Sequence, residues 1–221
     1  MQSDLLKQTY VLQKTKIEKM KSCKGAYKVE VLNKEIIVHP NVFYPATDTK
    51  LLINSITPHP EDTCLETFAG TGCIAIFLAL NSKEVVATDI NPDAIKNIEA
   101  NIKLYNLENK MKALHADIFP NINKKFDIIA LNPPYSDFEA NDVVEKALWD
   151  KDHKSLHTFF KEARNYLTLK GTIYSTWANF ADFDFFIDLV KKYNYTIKQI
   201  NEITKDMKIY RVFEIKPREI N

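Results

Sequence analysis

Four segments of the 221-residue chain end in residues that can bind or do chemistry. "ETFAGTG" places Gly70 and Gly72, two of only four glycines, just after an apolar run. Glycine accepts positive φ and lets the backbone approach a ligand closely. Seventeen residues past Gly72, "VVATDINPDAI" presents Asp89, placed to accept both hydroxyls of a ribose. "LHADIF" presents Asp117, able to accept from an adenine amino group, with Ile90 and Ile118 offering apolar faces to the ring. "FDIIALNPPYSD" ends in Asn132-Pro133-Pro134-Tyr135. Each signal alone has an ordinary reading: a tight strand-helix turn, a helix cap, a proline turn. Asn91 and Pro92 already serve as the cap after Asp89, and four such endings in succession point to one ligand site.

Elements that bring these endings together can be read from hydrophobic periodicity. Short apolar runs at 63–68, 84–89, 112–117, 126–131, 171–177, 196–201 and 208–215 read as strands. Helical spacing between them predicts helices over 72–81, 92–106, 142–168 and 180–193, with Leu156, Phe159, Phe160, Ala163 and Leu167 as core. This alternation implies an α/β fold with a doubly wound, seven-stranded and mostly parallel sheet that ends in an antiparallel C-terminal hairpin. Ligands bind such sheets outside the carboxyl ends of the strands. Residues 4–22 read as an amphipathic helix, "KVEVLNKEIIVHP" as a hairpin around Asn33-Lys34, and Asp48 or Thr47 as the N-cap of a helix reaching Ile56. The expected organisation is an N-terminal helix and hairpin extension, 1–42, and one larger domain, 43–221.

Composition narrows the class. The longest apolar run, Cys73 to Leu80, is far too short to span a membrane, and a soluble, cytoplasmic protein is expected. Cys23, Cys64 and Cys73 form no CxxC pair and read as buried thiols. His153 and His157 sit at i,i+4 beside Asp150 and Asp152, a spacing that reads as a solvated helix face in preference to a metal site. No metal is expected. Residues 1–28 hold seven lysines against Asp4 and Glu18, which reads as an exposed basic helix before a nucleic-acid-binding arm. Segment 137–152 carries four net negative charges, which disfavours a phosphate backbone as substrate.

In combination these motifs resemble the class I S-adenosylmethionine-dependent methyltransferases, specifically the NPPY N-methyltransferases of the methyltransferase small domain group. The nearest likeness is to release-factor glutamine methyltransferases of the HemK/PrmC type, carried by "YPATDTKLLI", "ETFAGTG" and "ALNPPY" over about residues 43–178. The resemblance implies a Rossmann-like sheet and S-adenosyl-L-methionine as cofactor. It implies that Ala69, Gly70 and Gly72 cradle the methionine portion, with Glu66 orienting that loop and the ammonium. Thr49 and Asp48 would lie near the methionine carboxylate, Asp89 would hold the ribose, and Asp117 with Ile118 the adenine.

Asn132-Pro133 suits transfer to a planar nitrogen, whose delocalised lone pair makes it a poor nucleophile. The Asn132 side-chain carbonyl and the Pro133 backbone carbonyl can accept its two hydrogens, and these bonds strengthen as the nitrogen gains charge. Tyr135 is expected to stack on the acceptor. A protein glutamine is the first expectation; a small-molecule amine or amino acid, or adenine N6 in RNA or DNA, is the alternative. A NAD-dependent oxidoreductase would explain the glycines and Asp89 but leaves Asn132 to Tyr135 idle, as would a non-catalytic partner subunit.

Overall fold

A helix α1 (Gln2–Ser22) precedes a hairpin of β1 (Tyr27–Val31) and β2 (Lys34–Val38), and α2 (Thr47–Ser55) leads into the main sheet in a computed structural model that describes residues 2–219. There follow β3 (Thr63–Thr67), α3 (Cys73–Asn81), β4 (Glu84–Asp89), α4 (Pro92–Leu104), β5 (Met111–His115) and β6 (Phe126–Leu131). The chain continues through α5 (Lys154–Glu162), β7 (Leu167–Ala178), α6 (Phe183–Lys192), β8 (Tyr195–Lys205) and β9 (Lys208–Pro217). The sheet order is β5-β4-β3-β6-β7-β9-β8, parallel as far as β7 and antiparallel at both pairings of β9. The order reverses between β3 and β6, which puts the ligand crevice at their carboxyl ends.

Both faces of the sheet are covered, so its central strands are buried throughout: Cys64–Thr67 and Ile128–Leu131. One face packs Leu52, Ile74, Ile76 and Ile98 from α2, α3 and α4. The other packs Leu156, Phe159, Phe160 and Phe186 from α5 and α6 around Trp177 of β7. The core residues foreseen in α5 and beyond it, Ala163 and Leu167 included, are all buried.

One loop, between β3 and α3, owes its shape to backbone only glycine adopts cheaply. Gly70 and Gly72 have φ of 53° and 72°, and a Cβ on Gly72 would meet the Ile98 side chain at 3.0 Å. Two buried asparagines of α4 then tie the N-terminal hairpin to this loop. Asn97 and Asn101 accept from the His39 and Ile37 amides, each at 2.8 Å, and Asn101 also donates to the Thr71 carbonyl at 2.9 Å.

Several expectations need correction. Residues 142–168 do not form one helix. Short 3-10 turns occupy Glu145–Ala147, Lys151–His153 and Ala163–Tyr166, leaving only α5 between the last two. A parallel bridge joins Ser136 to Trp149, Asp152 and His153 are left-handed (φ 56° and 48°), and the Asp150 carboxylate accepts from the Ser155 amide at 3.0 Å. The Ser136 bridge from outside the segment and the Asp150–Ser155 bond within it together override its helical period. His153 consequently sits before α5, packed on Phe185, while His157 bonds the Tyr193 hydroxyl; both are half-buried. The N-cap of α2 is Ala46, not Asp48 or Thr47. β5 stops at His115, so Asp117 lies beyond the strand, and Cys23 is only half-buried.

The lysine-rich helix α1 is not a free face. Ile17 and Met20 are buried against Val144, Leu148 and Trp149, and Tyr10 stacks on Trp149 with centroids 5.2 Å apart. Gln13 donates to Ser136 Oγ and accepts from Trp149 Nε1, both at 2.9 Å. Lys21 pairs with Asp142 at 2.6 Å and Glu145 at 3.0 Å, so basic helix and acidic segment partly neutralise each other. The repulsion of phosphate inferred from the acidic segment alone is weakened accordingly. No helix among the described residues is long and apolar enough to cross a membrane.

Candidate active site

Two cavities meet at Asn132. The larger, about 330 Å³, opens at the carboxyl ends of β3, β4 and β6, and the smaller, about 50 Å³, lies on the far side of the Asn132-Pro133 loop. Phe43, Asn132, Pro134 and Ala147 line both.

The larger cavity gathers most of the residues singled out at the strand ends. Glu66, Ala69 and Gly70 come from β3 and its loop, Asp89 and Ile90 from the end of β4, Asp117 and Ile118 from the turn after β5, and Thr49 from α2. Gly72 does not line it; it shapes the turn into α3 as that helix's left-handed N-cap. Asp48, Pro133 and Tyr135 face the smaller cavity.

Glu66 is buried and accepts from the Ala75 amide at 2.7 Å. Burial pushes its carboxyl well above the ordinary carboxylate range, and the nearby Asp89 adds to the shift. Among the described residues it has no ion-pair partner. Its folded pKa exceeds the unfolded value, so the charged form costs stability, a cost that sets in as pH rises past the ordinary value of 4.5 and grows up to the folded pKa. Glu66→Gln keeps an acceptor for Ala75 and is therefore expected to raise the melting temperature at pH 7 by about 2 °C or more, and by much less at pH 4. Thermal unfolding at the two pH values measures this; a lower melting temperature at pH 7 would contradict it.

Asp89 holds the glycine loop directly: its two oxygens accept from the Gly70 and Asn91 amides, each at 2.8 Å. Burial still raises its pKa, outweighing those two bonds. Asp117 is exposed, and Ile118 beside it is buried with φ 70°, its carbonyl held by the Thr88 hydroxyl at 2.6 Å.

At the loop itself, Asn132 Oδ1 accepts from the Thr176 hydroxyl at 2.7 Å and from the Tyr135 hydroxyl, and Asn132 Nδ2 donates to Thr49 Oγ1 at 3.5 Å. The Tyr135 hydroxyl also reaches Asp48 Oδ2 at 3.0 Å and Thr176 Oγ1 at 2.8 Å. Burial, then the Asp48 charge, keep Tyr135 well above its ordinary pKa, so it remains an O–H donor. Its ring is buried edge-on to Trp177 and Phe180, with centroids 5.3 and 5.7 Å away, which leaves little of the stacking face expected from the motif.

Sequence reasoning missed Thr176, although it lies near the carboxyl end of β7 and the strand-end rule would have found it. It also missed the walls supplied by Phe43–Pro45, by Glu139–Thr158, and by Gln13 and Lys16 of α1, which no local pattern marks.

An S-adenosyl nucleoside carrying an amino acid fits the larger cavity. Its wall combines close-approach backbone at Gly70, an acceptor at Asp89, apolar Ile90 and Ile118, and an unneutralised buried carboxylate at Glu66 suited to an ammonium. Residues 33–211 match the methyltransferase small domain family. A relative from Methanocaldococcus jannaschii named as a protein N5-glutamine methyltransferase is 33% identical over 152 residues, 66% of this chain and 76% of its own. A release factor glutamine methyltransferase of Aquifex aeolicus is 33% identical across 53% of this chain, and the match spans under half (46%) of that enzyme's length. The crystal structure of the M. jannaschii tRNA m1G37 methyltransferase superposes with a TM-score of 0.66 at 20% identity, covering 89% of this chain and 58% of its own. The glycine loop, the acidic strand ends and the Asn-Pro-Pro-Tyr loop thus sit on a methyltransferase fold, and the chain belongs to the methyltransferase small domain family, class I enzymes that use S-adenosylmethionine.

Proposed function

We propose that this methyltransferase modifies a planar amide nitrogen, the side-chain amide of a glutamine in a protein acceptor. The observation that carries the reading is the position of Asn132, on the wall shared by a nucleoside-sized cavity and a small one. The names of the relatives from M. jannaschii and A. aeolicus support glutamine as the acceptor.

Bound in the larger cavity, S-adenosylmethionine supplies an electrophilic sulfonium methyl. In this reading Gly70 and Ala69 would approach its methionine portion, Gly72 sets the turn, Glu66 would take the ammonium, and Thr49 would lie near the carboxylate, while Asp48, expected beside Thr49, faces the smaller cavity and the Tyr135 hydroxyl instead. Asp89 would accept from the ribose and Asp117 from the adenine amino group, with Ile90 and Ile118 offering apolar faces to the ring. The acceptor amide enters the smaller cavity and donates its hydrogens to Asn132 Oδ1 and the Pro133 carbonyl. Proline at 133 and 134 stiffens that loop, so orientation is fixed before the reaction. As the attacking nitrogen gains positive charge, both bonds strengthen, which stabilises the transition state more than the ground state.

Tyr135 has a role other than stacking. Its single hydroxyl hydrogen has three acceptors in reach and serves one at a time. Turned to Asp48, it leaves a lone pair of Asn132 Oδ1 free for the acceptor. Tyr135→Phe removes this exchange and is expected to lower kcat about 10-fold, the scale of one lost orienting hydrogen bond, with cofactor affinity nearly unchanged. Steady-state kinetics with calorimetric binding of S-adenosylhomocysteine separates the two quantities.

The substrate class is tested by transfer of labelled methyl into a cell extract fractionated into protein, RNA, DNA and small molecules. Label in the protein fraction is expected; label confined to nucleic acid would overturn the reading.

A further inference from the structure

The smaller cavity carries a pair of cations that the methyl-transfer chemistry does not use. Lys16, on α1, and Lys208, at the start of β9, both line it and are both half-buried. Their ammonium groups lie over two rings of the same wall: Lys16 Nζ is 5.6 Å from the Phe43 centroid and Lys208 Nζ 5.8 Å from that of Phe180. Neither forms an ion pair or a side-chain hydrogen bond among the described residues. The carboxylate within the cavity, Asp48, accepts from the Thr49 amide, lies within reach of the Tyr135 hydroxyl, and forms no ion pair with either lysine among the described residues. Burial lowers the pKa of Lys16, and Lys208 lowers it further, with Asp48 opposing. Two like charges partly withdrawn from water beside aromatic rings are costly until an anion joins them.

We propose that Lys16 and Lys208 form an anion subsite that recognises a carboxylate of the acceptor itself, a few bonds from the amide held by Asn132. The inference rests on the glutamine reading and adds a substrate class to it: an acidic acceptor, a glutamine beside Asp or Glu in a peptide or one bearing its own carboxylate. A carboxylate is the anion that a protein or amino-acid acceptor itself carries within a few bonds of a glutamine amide, and the two lysines share their wall with Asn132 and Pro133. The helix that brings Lys16 is held in place by Gln13 and Lys21, so the cation is supplied by a docked element.

The test compares the full chain with Lys16→Met, Lys208→Met and the double variant, each checked for folding by S-adenosylhomocysteine calorimetry. Acceptors are a glutamine peptide flanked by glutamate, the same peptide flanked by glutamine, a peptide ending in glutamine with a free carboxylate, and free glutamine. The wild type is expected to prefer a carboxylate-bearing acceptor over the neutral peptide by about 10-fold in kcat/KM, through KM, the scale of one charge-assisted bond. In the double variant this ratio should collapse towards one, and Lys16→Arg should restore it relative to Lys16→Met. The first and last acceptors decide whether the carboxylate belongs to a neighbouring residue or to the glutamine. A wild-type ratio near one, or a ratio unchanged in the double variant, overturns the subsite while leaving glutamine methylation standing. Absence of methylation on every glutamine acceptor overturns the glutamine reading; the subsite is then decided by fluorescence binding of the glutamate-flanked peptide, supported by its loss in the double variant and overturned by equal binding.

Discussion

Replacing Asn132 with alanine is expected to cut turnover by ~100-fold or more while leaving S-adenosylhomocysteine affinity within a few-fold of wild type. The asymmetry follows from where the side chain sits. Its Oδ1 is oriented by the Thr176 hydroxyl at 2.7 Å and by Tyr135, which lines the smaller cavity, and its contribution grows only as charge develops on the acceptor nitrogen. Losing one preorganised hydrogen bond to charge that develops in the transition state costs on the order of 10²–10³ in rate, by analogy with the loss of an oxyanion-hole donor. The cofactor contacts proposed at Gly70, Asp89 and Ile118 come from elements other than the Asn132 loop, so binding should survive. Single-turnover kinetics and calorimetry on the same preparation measure the two effects separately. Parallel loss of both would place Asn132 in cofactor binding and remove it from the transfer step.

Asp89→Ala is expected to do the opposite: weaken cofactor binding by roughly 100-fold or more. The carboxylate accepts from Gly70 and Asn91 at 2.8 Å each, so alanine removes the proposed ribose contact and also releases the backbone of the glycine loop that lines the same cavity. A hydrogen bond to a charged group is worth about 1.5–3 kcal/mol, and each 1.4 kcal/mol is tenfold in affinity. The same change relieves a buried carboxylate whose pKa burial has raised, which offsets part of the damage to stability. The deficit should therefore appear in the S-adenosylhomocysteine dissociation constant far more than in the melting temperature. Near-normal affinity would contradict the ribose assignment.

The cofactor half of the site was legible because its signals are local. Glycines at 70 and 72, Asp89 at the end of its strand and Asn132 after "FDIIAL" each follow from strand periodicity and turn chemistry within a few residues. Strand boundaries at 84–89 and 126–131 match the structure for the same reason. The surroundings of the smaller cavity are built from residues far apart in the chain, which no periodicity links. Gln13 bonds Ser136 and Trp149 across more than a hundred positions, and Thr176 reaches Asn132 across 44. The single helix expected over 142–168 failed on such contacts too, since Asp150 bonds Ser136 before it caps α5. Tyr135 was misjudged because a motif gives the residue type and not the direction of its ring; Asp48 and Thr176 draw the hydroxyl inward. Lysines 16 and 21 read alike as solvated charge, yet one lines the smaller cavity and the other pairs with Asp142 and Glu145.

The central claim, that Asn132 directs a methyl group onto an amide nitrogen, is tested most directly by locating the methyl. A glutamine-containing acceptor methylated by the wild type and sequenced by fragmentation mass spectrometry should carry it on the side-chain amide nitrogen, with the signal falling by about two orders of magnitude in Asn132→Ala. A methyl on any other atom, or a yield unchanged by that substitution, would contradict the account.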